Sequence, residues 1–132
     1  MNVNINDENF KNSKAYMDFL ANNPGEGYLK IRASSTNQAM PISGLKIIVS
    51  TIIGNDNVIF FEGVTNESGV IKKISLPTPK SDKDDLIAPK SITYDIEAIA
   101  PNGTKSNFQV KMYDGINVIQ NINVVPNMSG GF

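Results

Sequence analysis

The sequence predicts an all-β fold in which seven antiparallel strands form a Greek-key sandwich, preceded by one short amino-terminal helix. The stretch from Val58 to Leu76 is the clearest sign, because two runs of apolar residues flank the polar segment 65–69. Val, Ile and Phe favour strands, whereas Asn, Ser and Gly favour turns, so this stretch predicts a hairpin. Similar turn residues recur at short intervals along the chain, as is typical of β-sandwiches.

The composition fits one globular domain that lacks residues on which much catalysis depends. The chain has 132 residues, of which 40% are apolar, and it contains no Cys and no His. This excludes thiolate chemistry, disulfides, the usual structural zinc sites and the side chain best suited to proton transfer near neutral pH. We therefore expect a protein that is not an enzyme and that needs no cofactor or metal.

The charge balance and the amino terminus bear on partners and location. The 12 Lys and Arg residues against 13 Asp and Glu residues give a net charge of -1, which does not indicate nucleic acid as a partner. No apolar run reaches membrane-spanning length, and Met1 to Glu8 lacks the basic and apolar blocks of a signal peptide. We expect synthesis in the cytoplasm and no membrane span.

The amino-terminal residues divide into an arm and a helix. Residues 1–12 are predicted to form the arm. Residues 13–25 are predicted to form a short helix and a turn, because Ser13 or Asn12 can cap the helix and Pro24 stops it. The expected buried stripe consists of Phe10, Met17 and Leu20.

A sandwich domain is predicted over residues 27–126, followed by a tail over residues 127–132. Its first strand starts at Gly27 and alternates between a core face and a solvent face. The core face carries Leu29, Ile31 and Ala33, and the solvent face carries Tyr28, Lys30 and Arg32. A surface loop is predicted over 77–89, and six further strands over 45–53, 58–64, 70–76, 92–98, 107–113 and 116–125.

Several motifs occur in the order that is found in one group of sandwiches. They are Gly27-Tyr28-Leu29-Lys30-Ile31, Pro41-Ile42-Ser43-Gly44-Leu45-Lys46-Ile47, Thr65-Asn66-Glu67-Ser68-Gly69 and Tyr94-Asp95-Ile96-Glu97-Ala98. In these motifs the chain resembles the prealbumin-like, or carboxypeptidase regulatory-like, β-sandwich domains. The resemblance implies that fold.

A narrower resemblance rests on three further segments. They are Phe19-Leu20 with Asn23-Pro24-Gly25, then Ile74 to Pro79, and finally Val118 to Pro126. These segments resemble a domain that accompanies peptidoglycan-binding or spore cortex-lytic modules in spore-forming Firmicutes and that also occurs as a small stand-alone protein. The resemblance implies a spore-associated or envelope-associated structural module without the hydrolase.

The two ends are the predicted contacts for assembly. In the arm, Val3 and Ile5 alternate with Asn at the period of a strand, and the tail carries Met128 and ends in Phe132. An extended arm can add as a strand to the open sheet edge of a neighbour. We expect a structural subunit that forms a homo-oligomer or filament, or that docks on other spore or envelope proteins. Simply disordered ends are the alternative.

A second function, binding of peptidoglycan or another glycan, is predicted from the solvent face of the first strand. Tyr28, Lys30 and Arg32 form a small aromatic and basic stripe on which a sugar can stack. An ordinary solvated sheet face is the alternative explanation of the same stripe.

Two other kinds of site are weighed against simpler explanations. Asp82, Asp84 and Asp85 offer oxygen ligands to calcium, but the interleaved lysines favour a solvated loop. An intramolecular isopeptide bond needs a buried Lys, an Asn and an assisting acid. The candidate lysines are Lys30 and Lys46, the candidate asparagines are Asn117, Asn121 and Asn123, and the candidate acid is Glu97. These residues are expected on solvent faces, which argues against the bond.

Overall fold

The computed structural model describes residues 2–35, 40–81 and 89–124. Within these ranges the chain forms two short helices, α1 (Glu8–Lys11) and α2 (Lys14–Asn22). The strands are β1 (Asn2–Asn4), β2 (Gly25–Ser35), β3 (Lys46–Ile53), β4 (Asp56–Val64), β5 (Val70–Thr78), β6 (Ile92–Ile99), β7 (Lys105–Met112) and β8 (Asn117–Val124). Neither of the helices described is long and apolar enough to span a bilayer.

The strands form two sheets that enclose one main core. The larger sheet has the order β1-β4-β3-β6-β7, and the three-stranded sheet has the order β5-β2-β8. The all-β sandwich predicted from the sequence is therefore confirmed, although the described residues form eight strands where seven were expected. The additional strand is β1, because residues of the predicted arm pair with β4.

Two of the strand pairings are parallel, whereas the sequence predicted antiparallel strands throughout. β1 runs parallel to β4, and β8 runs parallel to β2. A hairpin forces its two strands to be antiparallel, but a strand that enters a sheet from elsewhere in the fold has no such constraint. β8 arrives in this way, since it follows β7 of the other sheet.

The hairpin predicted over residues 58–76 is wrong, because its two strands lie in different sheets. β4 pairs with β3, whereas β5 pairs with β2. The buried hydroxyl of Thr65 donates a hydrogen bond to the Ile42 carbonyl oxygen at 2.6 Å and accepts one from the Leu45 N–H at 3.0 Å. Gly69 completes the turn with a φ of 75°. The turn therefore carries the chain from one sheet to the other.

The main core lies between the sheets and uses the face of the first long strand that the alternation predicted. Leu29, Ile31 and Ala33 of β2 are fully buried, which confirms that prediction. The remaining buried members come from both sheets and their connections; they are Leu45, Ile47, Val49, Ile74, Leu76, Tyr94, Ile96, Ala98, Ala100, Val110, Met112 and Ile122.

A second apolar cluster joins the amino terminus to the five-stranded sheet. Its buried members are Phe10, Ile53 and Val58, and half-buried Val3, Ile5, Tyr16, Phe19 and Phe60 pack against them. Neighbouring aromatic rings have centroids 5.3 to 6.4 Å apart, along the series Phe10, Tyr16, Phe19, Phe60 and Tyr94. Because Tyr94 also belongs to the main core, this series of rings connects the two clusters.

The helical region agrees with the sequence in its cap and differs in its buried face. Ser13 caps α2 as predicted. The expected stripe is correct for Phe10, but Met17 and Leu20 are 57% and 38% exposed. Phe10 lies in the separate helix α1, so the helical period is interrupted before α2 begins. The face of α2 that packs on the second cluster carries Tyr16 and Phe19.

Candidate functional site

The outermost strands of the two sheets offer backbone groups to which a partner strand can bind. They are β1 and β7 in the five-stranded sheet, and β5 and β8 in the three-stranded sheet. An edge strand presents unpaired backbone N–H and C=O groups, which can pair with a strand of another molecule. Proteins suppress such pairing by making the edge short or by placing lysine or proline in it.

Three of these four edges carry a protective feature. β1 has only three residues. β5 contains Lys72, Lys73 and Pro77, and β7 contains Lys105 and Lys111. Each of these edges therefore resists the addition of a further strand.

β8 carries none of these protective features. Its eight residues, Asn-Val-Ile-Gln-Asn-Ile-Asn-Val, include no charged residue, no proline and no glycine. Its other side pairs with β2 along its whole length, from Tyr28 opposite Asn117 to Ser35 opposite Val124. The strand is therefore held in register, and its outer edge has no partner strand among the described residues.

The two faces of β8 have different surroundings. On the inner face, Ile122 is buried, and Val118 and Val124 pack against the main core. On the outer face, Ile119 is 50% exposed and stands in a row of asparagines. The inner side chains fix the strand on the sandwich and leave its backbone edge and outer face accessible.

The arm residues predicted to contact a second copy lie inside one chain in this structure. Val3 is paired with Val58 of β4, and the N–H of Ile5 donates to the Ile59 carbonyl oxygen at 2.9 Å. Both side chains are half-buried against the second cluster. The other two predicted contacts, Met128 and Phe132, lie outside the described residues. A role of these four residues in assembly stays a prediction.

The second predicted site is on the outer face of the three-stranded sheet. Tyr28 and Lys30 line a shallow cleft of about 190 Å³ together with Lys72, Lys73 and Ile119. Arg32 follows two residues after Lys30 on the same strand and is exposed. We call the set Tyr28, Lys30, Arg32, Lys72 and Lys73 the basic face.

A β-bulge produces this concentration of lysines. Leu29 is opposite Ile74 and Ile31 is opposite Ile71, so the single residue Lys30 faces two residues of β5. Those two residues are Lys72 and Lys73. The sequence prediction named Tyr28, Lys30 and Arg32 and missed this pair, although two adjacent lysines between Ile71 and Ile74 already interrupt the alternation.

The tyrosine of the basic face has charged groups on two sides. Lys73 places its Nζ 4.5 Å from the centroid of the Tyr28 ring, which is within the range of a cation–π contact. A hydrogen bond to the Glu26 carboxylate and the negative charge of that group raise the pKa of the Tyr28 hydroxyl. The ring is therefore held in place and remains a neutral hydrogen-bonding group.

Asp114, in the turn between β7 and β8, binds two backbone segments beside this face. Its carboxylate accepts hydrogen bonds from the Ser81 N–H and the Glu26 N–H, both at 3.1 Å. These two bonds, with the Ser81 bond first, lower the pKa of Asp114. A Cβ on Gly25 would lie 2.7 Å from Asp114 Oδ1, so a side chain there would displace the carboxylate. We attribute a structural role to Asp114, since backbone groups account for its shifted pKa.

The structure separates the residues considered for an isopeptide bond. Lys46 pairs with Glu62 at 2.8 Å on the five-stranded sheet, as an ion pair with both side chains more than 40% exposed. Lys30 lies on the three-stranded sheet next to the strand that holds Asn117, Asn121 and Asn123, whereas Glu97 lies on β6 of the other sheet. No acid of the proposed set is therefore near Lys30.

The acidic run of the predicted loop offers oxygen ligands to a metal ion in the sequence. Asp82, Asp84 and Asp85 lie outside the described residues. In the part of the chain that the structure describes, no group of three or more Asp or Glu residues is close enough to hold a metal ion.

No family model and no curated protein matches this sequence. Among solved structures, the chain is similar to the 5-hydroxyisourate hydrolase of Klebsiella pneumoniae, with a TM-score of 0.53 and 14% sequence identity. The match covers 76% of this chain and 91% of the hydrolase. At this level of identity the similarity concerns the fold alone. The chain is therefore an all-β sandwich with the prealbumin-like, or transthyretin-like, fold.

Proposed function

We propose that this chain is a non-enzymatic structural subunit that associates with a second copy through β8. The observation that carries the proposal is the eight-residue edge of β8, which is uncharged, free of proline and anchored along its full length on β2. An exposed edge of this kind favours the addition of a strand. The absence of His and Cys from the whole sequence supports a role other than catalysis.

Pairing of two β8 strands about a twofold axis joins two three-stranded sheets into one sheet of six strands. In an antiparallel pair, side chains directly opposite each other interact across the strands. The outer face of β8 offers Asn117, Asn121 and Asn123, whose amides can hydrogen-bond to one another, and Ile119, which pairing would cover. Each backbone hydrogen bond contributes a net gain of about 0.5–1.5 kcal/mol.

The number of unprotected edges sets the size of the proposed assembly. A twofold interface uses the same surface on both copies and closes at two. Growth into a filament requires a second edge, and the lysines of β5 and β7 make these strands poor candidates. We therefore propose a dimer as the building unit. The narrow sequence resemblance described above supports a place for this dimer in a spore-surface or envelope assembly.

The test is the mass of the protein in solution, measured by light scattering after size exclusion over a range of concentrations. We expect a dimer for the unmodified chain and a monomer for Ile119→Lys, because the substitution places a charge in the middle of the pairing edge. The matched control is Ile52→Lys, an isoleucine that is 61% exposed on the inner strand β3 of the other sheet. It should leave the dimer intact. A monomeric parent chain, or a dimer that survives Ile119→Lys, contradicts the proposal.

A second candidate function is binding of a glycan. It is favoured by the basic face, where Tyr28 and Lys30 meet two further lysines at one cleft and Arg32 follows on the same strand. Sedimentation with purified peptidoglycan tests this function, since a subunit that only self-associates stays in the supernatant.

A further inference from the structure

We propose that the basic face binds a polysaccharide that carries a negative charge on its repeating units. This inference rests on the second candidate function, glycan binding, and names the class of glycan. It does not depend on pairing through β8. The polymer would lie across the three strands of the smaller sheet. Its charged groups would be bound by Lys30, Arg32, Lys72 and Lys73, and its sugar rings would contact Tyr28.

The charges on this sheet are separated from the rest of the molecule. The chain as a whole has a net charge of -1, so composition alone gives no sign of an anionic partner. The outward positions of β5, β2 and β8 nevertheless hold four of the 12 basic residues of the chain. Their only carboxylate is Glu26, which lies at the end of the face and hydrogen-bonds Tyr28. A face with this imbalance attracts a negatively charged polymer.

The bulge brings three of these charges to one place. Lys30 faces both Lys72 and Lys73, and the three side chains share the cleft with Tyr28. Like charges on neighbouring strands repel one another and destabilise the pairing. A bound anion removes this repulsion and gains charge-assisted hydrogen bonds from the same groups. Arg32 adds a planar group that can hold a carboxylate through two parallel bonds.

The uncharged neighbours of the basic face favour a sugar polymer over a nucleic acid. β8 places Asn117 beside Tyr28 and Asn121 beside Arg32, and amides can both donate to and accept from hydroxyl groups. Nucleic acid is bound on sheets by several aromatic rings that stack on successive bases. This face has one aromatic ring, Tyr28, so it offers no series of rings for successive bases. Charge, amides and a single ring together match an anionic polysaccharide.

The test is binding of the full chain to polygalacturonate, measured by calorimetry at low ionic strength. The probe with the charge removed is the fully methyl-esterified form of the same polymer, and the probe with the sugars removed is poly-glutamate. We expect binding to polygalacturonate that weakens as salt is added, and little binding to the other two. The variant Lys30→Gln/Arg32→Gln should bind roughly tenfold more weakly, because two exposed ion pairs are lost.

The matched control is Lys11→Gln/Lys14→Gln, which changes the net charge equally on the helices and should bind like the parent chain. Light scattering in parallel reports the state of association, so loss of binding is distinguished from loss of the dimer. Equal binding of the esterified polymer would support the glycan function and overturn the requirement for charge. Equal binding of poly-glutamate would overturn the requirement for sugar. An absence of binding to all three probes would overturn both.

Discussion

The hydroxyl of Tyr94 donates a hydrogen bond of 2.6 Å to the carbonyl oxygen of Pro77. Tyr94 lies on β6 of the five-stranded sheet, whereas Pro77 lies on β5 of the other sheet, so this bond joins the two layers of the sandwich. Burial raises the pKa of the Tyr94 hydroxyl, which therefore keeps its proton and its role as donor.

Removal of this hydroxyl should destabilise the fold. In Tyr94→Phe the ring still fills the core, but the Pro77 carbonyl loses its partner, which costs about 1–3 kcal/mol in the free energy of unfolding. Urea unfolding followed by circular dichroism measures the change. Tyr28→Phe removes a hydroxyl from the outer face and should change stability by less than about 0.5 kcal/mol. Equal stability of the two variants would show that the bond between the layers contributes nothing.

Acid should weaken the hydrogen bonds that the Ser81 and Glu26 N–H groups donate to the Asp114 carboxylate. Its pKa is lower in the folded chain than its ordinary value, so the group adds stability at pH values above that ordinary value. The contribution is lost as the pH falls through the lowered pKa. We expect the urea midpoint to fall less between pH 7 and pH 3 in Asp114→Asn than in the parent chain. An equal fall in the two proteins would contradict a stabilising role for the Asp114 carboxylate.

The turn at Gly69 should not tolerate a side chain. A Cβ there would lie 2.3 Å from the Ala33 carbonyl oxygen, and the φ of 75° is unfavourable for other residues. Gly115→Ala is the matched control, because Gly115 has a φ of 72° and nothing within 4 Å of the added atom. We expect about 1–2 kcal/mol of destabilisation from the left-handed backbone in Gly115→Ala. Gly69→Ala should cost about 1–3 kcal/mol more, through the collision. Thermal unfolding that ranks the two variants equally would contradict this account.

Substitution of the arm residues should separate a role in stability from a role in assembly. In Val3→Asn/Ile5→Asn the second cluster loses two half-buried apolar side chains. We expect a loss of about 1–2 kcal/mol for each in the free energy of unfolding. The mass in solution should remain that of the parent chain if the arm serves its own fold. A monomer with unchanged stability would instead support the predicted contacts with a second copy.

Local patterns in the sequence were sufficient for the seven long strands and for several turns. Leu29, Ile31 and Ala33 alternate with polar residues and are buried as predicted. Asn102-Gly103 forms the predicted turn between β6 and β7, with a φ of 89° at the glycine. These features depend on residues close in sequence, whose conformational preferences can be read directly.

Features that depend on distant residues could not be predicted in the same way. The segment 65–69 has the turn residues of a hairpin, whereas its path into the other sheet involves bonds to distant residues, among them those of Thr65 to Ile42 and Leu45. The lysine pair of the basic face is brought opposite Lys30 by the register of β5 on β2, which the sequence of neither strand specifies. The fold class was therefore accessible from sequence, and the full composition of the candidate site was not.

The pairing of β2 with β8 also has a consequence for synthesis. Ser34 and Asn123 hydrogen-bond across this pair and are 89 residues apart in the chain. While the ribosome is still translating the residues between them, the eleven-residue strand β2 can be covered on one side only, by β5. The smaller sheet is completed only after β8 has been made. We therefore expect the sandwich to close after translation has passed residue 124, as a single late event.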